Sequence, residues 1–112
     1  MAITSTQSAQ PASVANIAVG SYITTGTAAA FTITTGFKPR YVRVSNEDGD
    51  AMEEWFEGMA DAEAMKLVGD TSPVTYSKIT SNGITVSASG FTVGLDTDVN
   101  VTSQQLSWLA LG

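Results

Sequence analysis

The segment Tyr41-Val42-Arg43-Val44-Ser45 decides the fold class of this chain, because apolar and polar side chains alternate along it. Successive side chains of a β-strand point to opposite faces of the sheet. Val42 and Val44 are therefore expected on one face, with Tyr41 and Arg43 on the other. A helix would instead repeat its apolar residues every three or four positions. The segment predicts a half-buried strand.

Similar short segments follow one another along the rest of the chain. In residues 83–88 (GITVSA), the side chains of Ile84, Val86 and Ala88 are expected to face the core. Further strands are predicted at 13–23, 29–34, 51–59, 91–95, 99–102 and 105–111. Turn residues such as Gly and Asn separate them. Several short strands at this spacing predict an all-β domain, built as a β-sandwich, a jelly roll or a barrel.

Two segments depart from this pattern. Residues 59–68 are rich in helix-forming residues, which predicts a short helix or a long ordered loop. Residues 1–12 are small and polar and contain the helix and strand breaker Pro11, which predicts an extended arm without a core of its own. The predicted organisation is thus an N-terminal arm at 1–12 and one β-domain at 13–112.

The composition argues against several classes of function. The 112-residue chain contains no Cys and no His, which removes Ser–His–Asp and Cys–His catalysis and thiolate metal sites. Five basic and eleven acidic residues give a net charge of −6, and so weak a basic footprint does not suit nucleic acid. No apolar run approaches the length of a membrane span and no signal peptide is visible, so neither a membrane partner nor secretion is expected.

Nine of the eleven acidic residues lie between positions 47 and 70. Such a run suits a cation site or a carboxylate pair for glycoside hydrolysis, but a solvated hairpin explains it more simply. Asp96–Asn100 begins like a calcium loop, yet Val101 and Ser107 stand at its sixth and twelfth positions, which favours a polar turn. The basic group 38–40 is expected to pair with the acidic run. No metal site, no cofactor and no enzymatic activity are predicted.

The distribution of charged and aromatic residues indicates an assembly protein. No charged side chain occurs before Lys38, and an exposed β-rich segment without charges is prone to aggregate. Trp55 and Phe56 are adjacent, so on a strand they point to opposite faces. The last strand, around Trp108, is apolar on both faces. We do not expect one small core to cover all of this surface, so contact with other chains is expected.

Five segments carry a resemblance to a known family: Thr35–Asn46, Glu54–Met59, Ser81–Val86, Gly90–Gly94 and Leu106–Gly112. Together they resemble the small β-rich head decoration, or cement, proteins of tailed bacteriophages, and similar modules occur in tail fibres. The resemblance implies a compact β-sandwich, a cyclic oligomer that is commonly a trimer, and no enzymatic activity.

The expected function is therefore that of a capsid decoration protein on the outer surface of the phage head, with the major capsid protein and further copies of the chain as partners. The alternative is a tail-fibre or receptor-binding module that recognises a host surface polymer. The residues expected to bind the shell are Ile3, Thr4, Pro11 and Val14, and those expected at the oligomer interface are Phe31, Trp55, Phe56 and Trp108.

Overall fold

A computed structural model describes residues 16–112, which form eight β-strands joined in one antiparallel sheet. The strands are β1 Ile17–Ile23, β2 Phe31–Thr34, β3 Tyr41–Asn46, β4 Ala51–Phe56, β5 Glu63–Val68, β6 Thr75–Ser87, β7 Gly90–Val93 and β8 Gln105–Leu111. Their spatial order is β1-β8-β3-β4-β5-β6-β7-β2, so β1 and β2 form the two edges. This part of the chain contains no helix long and apolar enough to cross a membrane. The predicted all-β class is confirmed.

The sheet curls into a half-barrel, and its concave face holds the hydrophobic core. The buried apolar residues of the core are Val42, Val44, Ala51, Trp55, Ile84, Phe91, Val93, Val99, Leu106 and Ala110. On the open side, the edge strands β1 and β2 meet through the rings of Tyr22 and Phe31, which stack with centroids 3.9 Å apart. The curl therefore lets one sheet enclose a core that a flat sheet of this size would leave exposed.

Side-chain alternation places residues much as predicted. Val42 and Val44 are buried, while Arg43 between them is exposed. Ile84 is buried and Val86 packs against the core, but Ala88 lies in the turn after β6 and is exposed, so its predicted inward position was wrong.

Residues 59–68 do not form the predicted helix or long loop. A turn that contains Ala62 at a φ of 66° leads into β5, which pairs with β4 on one side and β6 on the other. Two neighbouring strands satisfy the backbone groups of β5, and this pairing outweighs the local preference for helix.

Residues 99–102 do not form the predicted strand either. Asp96 Oδ1 accepts hydrogen bonds from the backbone N–H groups of Asp98 and Val99, which fixes a turn of the kind that Asp commonly makes. Asn100 lies at the end of this turn. Its side-chain amide donates hydrogen bonds to the backbone carbonyl groups of Ala29 and Gly94, which hold the turn in place. The prediction of a polar turn at 96–100 is confirmed.

Close packing fixes the inner face of β1. A Cβ atom added to Gly20 would lie 2.5 Å from Cζ2 of Trp108, because the indole ring lies directly over this glycine. The residue opposite Gly20 on β8 is Trp108 itself. The glycine thus lets the ring of Trp108 approach the backbone of the edge strand.

Candidate interaction surface

Trp55 and Phe56 take opposite faces of β4, as their adjacency predicted. Trp55 is 6% exposed and lies in the core, where its indole N–H donates to the carbonyl of Ala60 at 3.3 Å. Phe56 points to the convex, outer face of the sheet and remains 45% exposed. Of this pair, Phe56 is the member that a partner could cover.

Trp108 and Phe31 both lie on the concave face. The ring of Trp108 meets the ring of Phe91 edge to face, with centroids 5.4 Å apart, and Phe31 stacks on Tyr22. The structure therefore does not bring the four predicted interface aromatics together, because three of them face inward and only Phe56 faces outward. An interface role for the inward three stays a prediction.

A row of apolar side chains crosses the outer face beside Phe56. Ile17 of β1 lies opposite Leu111 of β8, Leu111 lies opposite Tyr41 of β3, and Tyr41 lies opposite Phe56 of β4. Directly opposed residues of an antiparallel sheet are near enough to pack against each other. The rings of Tyr41 and Phe56 do so, with centroids 5.2 Å apart. Four adjacent strands thus contribute one continuous row.

A second row extends the apolar surface. Val19 lies opposite Leu109, two residues along from Ile17 and Leu111. Val19 is 70% exposed and Ile17 is 64% exposed, which are high values for large apolar side chains. We call the two rows together the outer patch, and it consists of Ile17, Val19, Tyr41, Phe56, Leu109 and Leu111.

The edge strand β1 adds unpaired backbone to the outer patch. It pairs with β8 along its full length on one side, and no described strand pairs with it on the other. It carries no charged residue, no Pro and no bulge, which are the features that usually protect an exposed edge. An unprotected edge beside an apolar patch is a surface suited to binding another chain.

Polar groups border the outer patch. The hydroxyl of Tyr41 donates to the carboxylate of Glu54. Burial, this hydrogen bond and the negative charge of Glu54 raise the pKa of Tyr41 to about 12, so the hydroxyl stays a donor at neutral pH. On the other face of the sheet, beside Trp55, Arg40 forms an ion pair with Glu57 at 2.8 Å, which confirms for Arg40 the expected pairing of the basic group with the acidic run. An apolar centre with a polar rim is the usual composition of a protein interface.

The acidic segments do not form a metal centre in the part of the chain that the structure describes. No three of its carboxylates are arranged to hold an ion. Most of the acidic run is exposed, as a solvated hairpin requires, but Glu53 is fully buried. Sequence reasoning missed this residue, although its parity with Trp55 on β4 places both side chains on the same face.

Ile17, Val19 and Tyr41 were also missed as candidate interface residues. The signal for Ile17 and Val19 in the sequence is the alternation of large apolar with small residues along residues 17–20 (IAVG). The small residues face inward, with Gly20 beneath Trp108, which leaves the large ones outside. The predicted arm at 1–12, with Ile3, Thr4, Pro11 and the adjacent Val14, lies outside the described residues.

No family model, no curated protein and no solved structure matches this chain.

Proposed function

We propose that this chain is a non-enzymatic virion structural protein, a capsid decoration protein that binds and stabilises a phage head shell as a homo-oligomer. The observation that carries the proposal is the outer patch, in which six apolar side chains from four adjacent strands face away from the core. Exposed apolar surface of this extent is unusual on a monomer and is typical of an interaction site.

The proposed oligomer is a closed ring, and a trimer agrees with the resemblance to decoration proteins. A closed ring covers an apolar patch on every subunit without forming open fibres. Each half-exposed apolar side chain that becomes buried contributes roughly 1 kcal/mol before the costs of association. Burial of several such residues per subunit stabilises the oligomer, although the buried interface area alone does not set the affinity.

The proposed partner of the ring is the major capsid protein on the outer surface of the head. The N-terminal arm is the proposed attachment device, because an extended segment can add to a partner's sheet through main-chain hydrogen bonds that require no particular side chains. Several arms on one ring would reinforce each other through avidity.

Binding to isolated head shells that lack the chain tests this function. The full chain should saturate them at a copy number comparable to that of the shell protein. A variant without residues 2–12 should melt at the same temperature and bind at least about tenfold more weakly, because the contribution of several arms is lost. Equal binding by the shortened chain, or its failure to fold, would contradict the proposed role of the arm.

A receptor-binding or tail-fibre module is the second candidate function. It is favoured by a pocket of about 520 Å³ lined by Trp55, Met59 and Val86, with Lys38, Arg40, Glu57 and Asp61 among its charged residues. A pocket that combines an aromatic side chain with several charged groups suits a small polar ligand or one unit of a polymer. Binding of host surface polysaccharide, together with a few dozen copies or fewer on the virion, would favour this candidate over decoration.

A further inference from the structure

Four ionisable side chains lie together on the concave side of the sheet, on the opposite face from the outer patch. Lys66 of β5 reaches the turn that follows β7, where its Nζ atom lies 2.8 Å from Asp96 Oδ2 and 2.7 Å from Asp98 Oδ2. Glu53 of β4 lies directly opposite Lys66 in the sheet. Side chains of directly opposed residues on one face have Cβ atoms about 5 Å apart, so Glu53 borders the ion pair.

Glu53 is the unusual member of this group. It is fully buried, and neither of its carboxyl oxygens has a hydrogen-bond partner. An unpartnered buried carboxyl group is costly to keep, particularly when it is charged. A buried polar group without a structural partner is a reason to look for a chemical role.

The protonation states of the group follow from its surroundings. Burial and the neighbouring charge of Asp96 raise the pKa of Glu53 to about 8, and Lys66 acts in the opposite direction. Burial disfavours the charge on Lys66, but its hydrogen bonds and attraction to Asp96 and Asp98 outweigh burial and raise its pKa. At neutral pH a buried carboxylic acid therefore lies beside a lysine–aspartate ion pair.

We propose that Lys66 and Asp96 condense into an intramolecular isopeptide bond, with Glu53 as the proton carrier. A proton first passes from the Lys66 ammonium to the Asp96 carboxylate along their hydrogen bond, which gives an amine and a carboxylic acid. The Nζ lone pair then attacks Cγ of Asp96, and the C–N bond forms. The C–Oδ2 bond breaks with its electron pair, and that oxygen leaves as water.

Glu53 balances the protons of this step. Its carboxyl group gives a proton to the departing Oδ2 and takes one from the nitrogen, so Glu53 ends as it began. In total, one ammonium and one carboxylate become one amide and one water molecule. No oxidant, cofactor or second substrate is required.

The turn at 96–99 provides the remaining part of an acyl-transfer site. Oδ1 of Asp96 accepts the backbone N–H groups of Asp98 at 2.9 Å and of Val99 at 3.0 Å. Two fixed N–H donors on the oxygen that becomes negative stabilise a tetrahedral intermediate. Oδ2, the atom that contacts Lys66, is then the leaving oxygen. Lys66 already lies within contact distance of the carboxyl group that it would attack.

Asp96 rather than Asp98 is the proposed partner because of its surroundings. The side chain of Asp96 is 9% exposed, whereas that of Asp98 is 44% exposed. The lower exposure of Asp96 to water favours condensation over hydrolysis there and strengthens the electrostatic effect of the N–H donors. The resulting bond would join β5 to the turn after β7, two strands away in the sheet.

Intact mass spectrometry of the purified, folded full chain, measured under denaturing conditions, tests the proposal. The natural chain should weigh less than its sequence by one water molecule. Proteolysis should release a branched peptide that contains both Lys66 and Asp96. The variants Lys66→Arg and Glu53→Gln should keep the full mass. Asp61→Asn, at an exposed position outside this group, is the matched control and should lose water. Asp98→Asn should also lose water, because Asp96 is the proposed partner.

Three further results decide the outcome. Glu53→Asp should form the bond more slowly than the natural chain, which separates a proton carrier from a residue that only fills space. Circular dichroism of Glu53→Gln must show a folded chain, so that its full mass reflects lost chemistry. A full mass for the natural chain after long incubation, or a branched peptide at Asp98, would overturn the proposal. None of these measurements involves head shells, so they leave the proposed function untouched.

Discussion

At the scale of single residues, Glu53 shows how strand parity overrides composition. It belongs to a run of acidic residues whose sequence suggests a solvated surface. Its position two residues before Trp55 on β4 nevertheless turns it into the core. The acidic run could be recognised from the sequence, but which of its members is buried depends on the exact bounds of the strand and on its neighbours.

The buried carboxyl group of Glu53 should make stability depend on pH. Its pKa is about 8 in the folded chain and 4.5 as the ordinary value. Between these values the folded state holds a proton that the unfolded state has released, so raising the pH favours unfolding. The side chain of the Glu53→Gln variant cannot ionise. Its free energy of unfolding should therefore fall less as the pH rises between these values, by at most about 4 kcal/mol.

Denaturant unfolding at a series of pH values from about 5 to about 9 gives the free energy of unfolding, and its slope against pH measures this effect. A covalent cross-link does not itself produce such a slope. Asp61→Asn, at an exposed position, is the control and should keep the natural slope. Equal slopes for the natural chain and Glu53→Gln would show that Glu53 does not titrate in this range.

At the scale of elements, alternation predicted the strand at Tyr41–Asn46 correctly, whereas local helix propensity at 59–68 predicted an element that does not form. The strand at Tyr41–Asn46 was recognisable because its neighbours bury one face only. β5 was not, because its partners β4 and β6 decide its conformation. In β6, residues 75–82 were not predicted as strand, since most of their side chains are exposed in the structure and the sequence shows no buried face.

Packing between β1 and β8 should make Gly20→Ala destabilising. The added Cβ would lie 2.5 Å from the Trp108 ring, and the ring or the edge strand must move to admit it. Overpacking of this kind costs about 1–3 kcal/mol. Thermal unfolding measures the loss, with Ser21→Ala on the exposed face of the same strand as the control. An unchanged melting temperature for Gly20→Ala would mean that Trp108 does not lie over β1 as described.

At the scale of the whole molecule, the outer patch could be predicted only in part. The sequence indicated that one member of the Trp55–Phe56 pair and one face of the last strand needed covering. It could not show that β1, β8, β3 and β4 are neighbours, because long-range strand order leaves no local signal. Ile17, Tyr41 and Phe56 therefore looked like unrelated residues until the sheet aligned them in one row.

The central claim is that the outer patch is an assembly surface, and sedimentation velocity over a wide range of concentrations tests it most directly. The natural chain should form a closed oligomer, for which a trimer is expected. The double variant Val19→Lys/Phe56→Lys should be a folded monomer, because it places charge in the patch without disturbing the core. Thr34→Lys, on the other edge strand, should assemble as the natural chain does. A natural chain that remains monomeric at every concentration, or a double variant that assembles equally well, would contradict the claim.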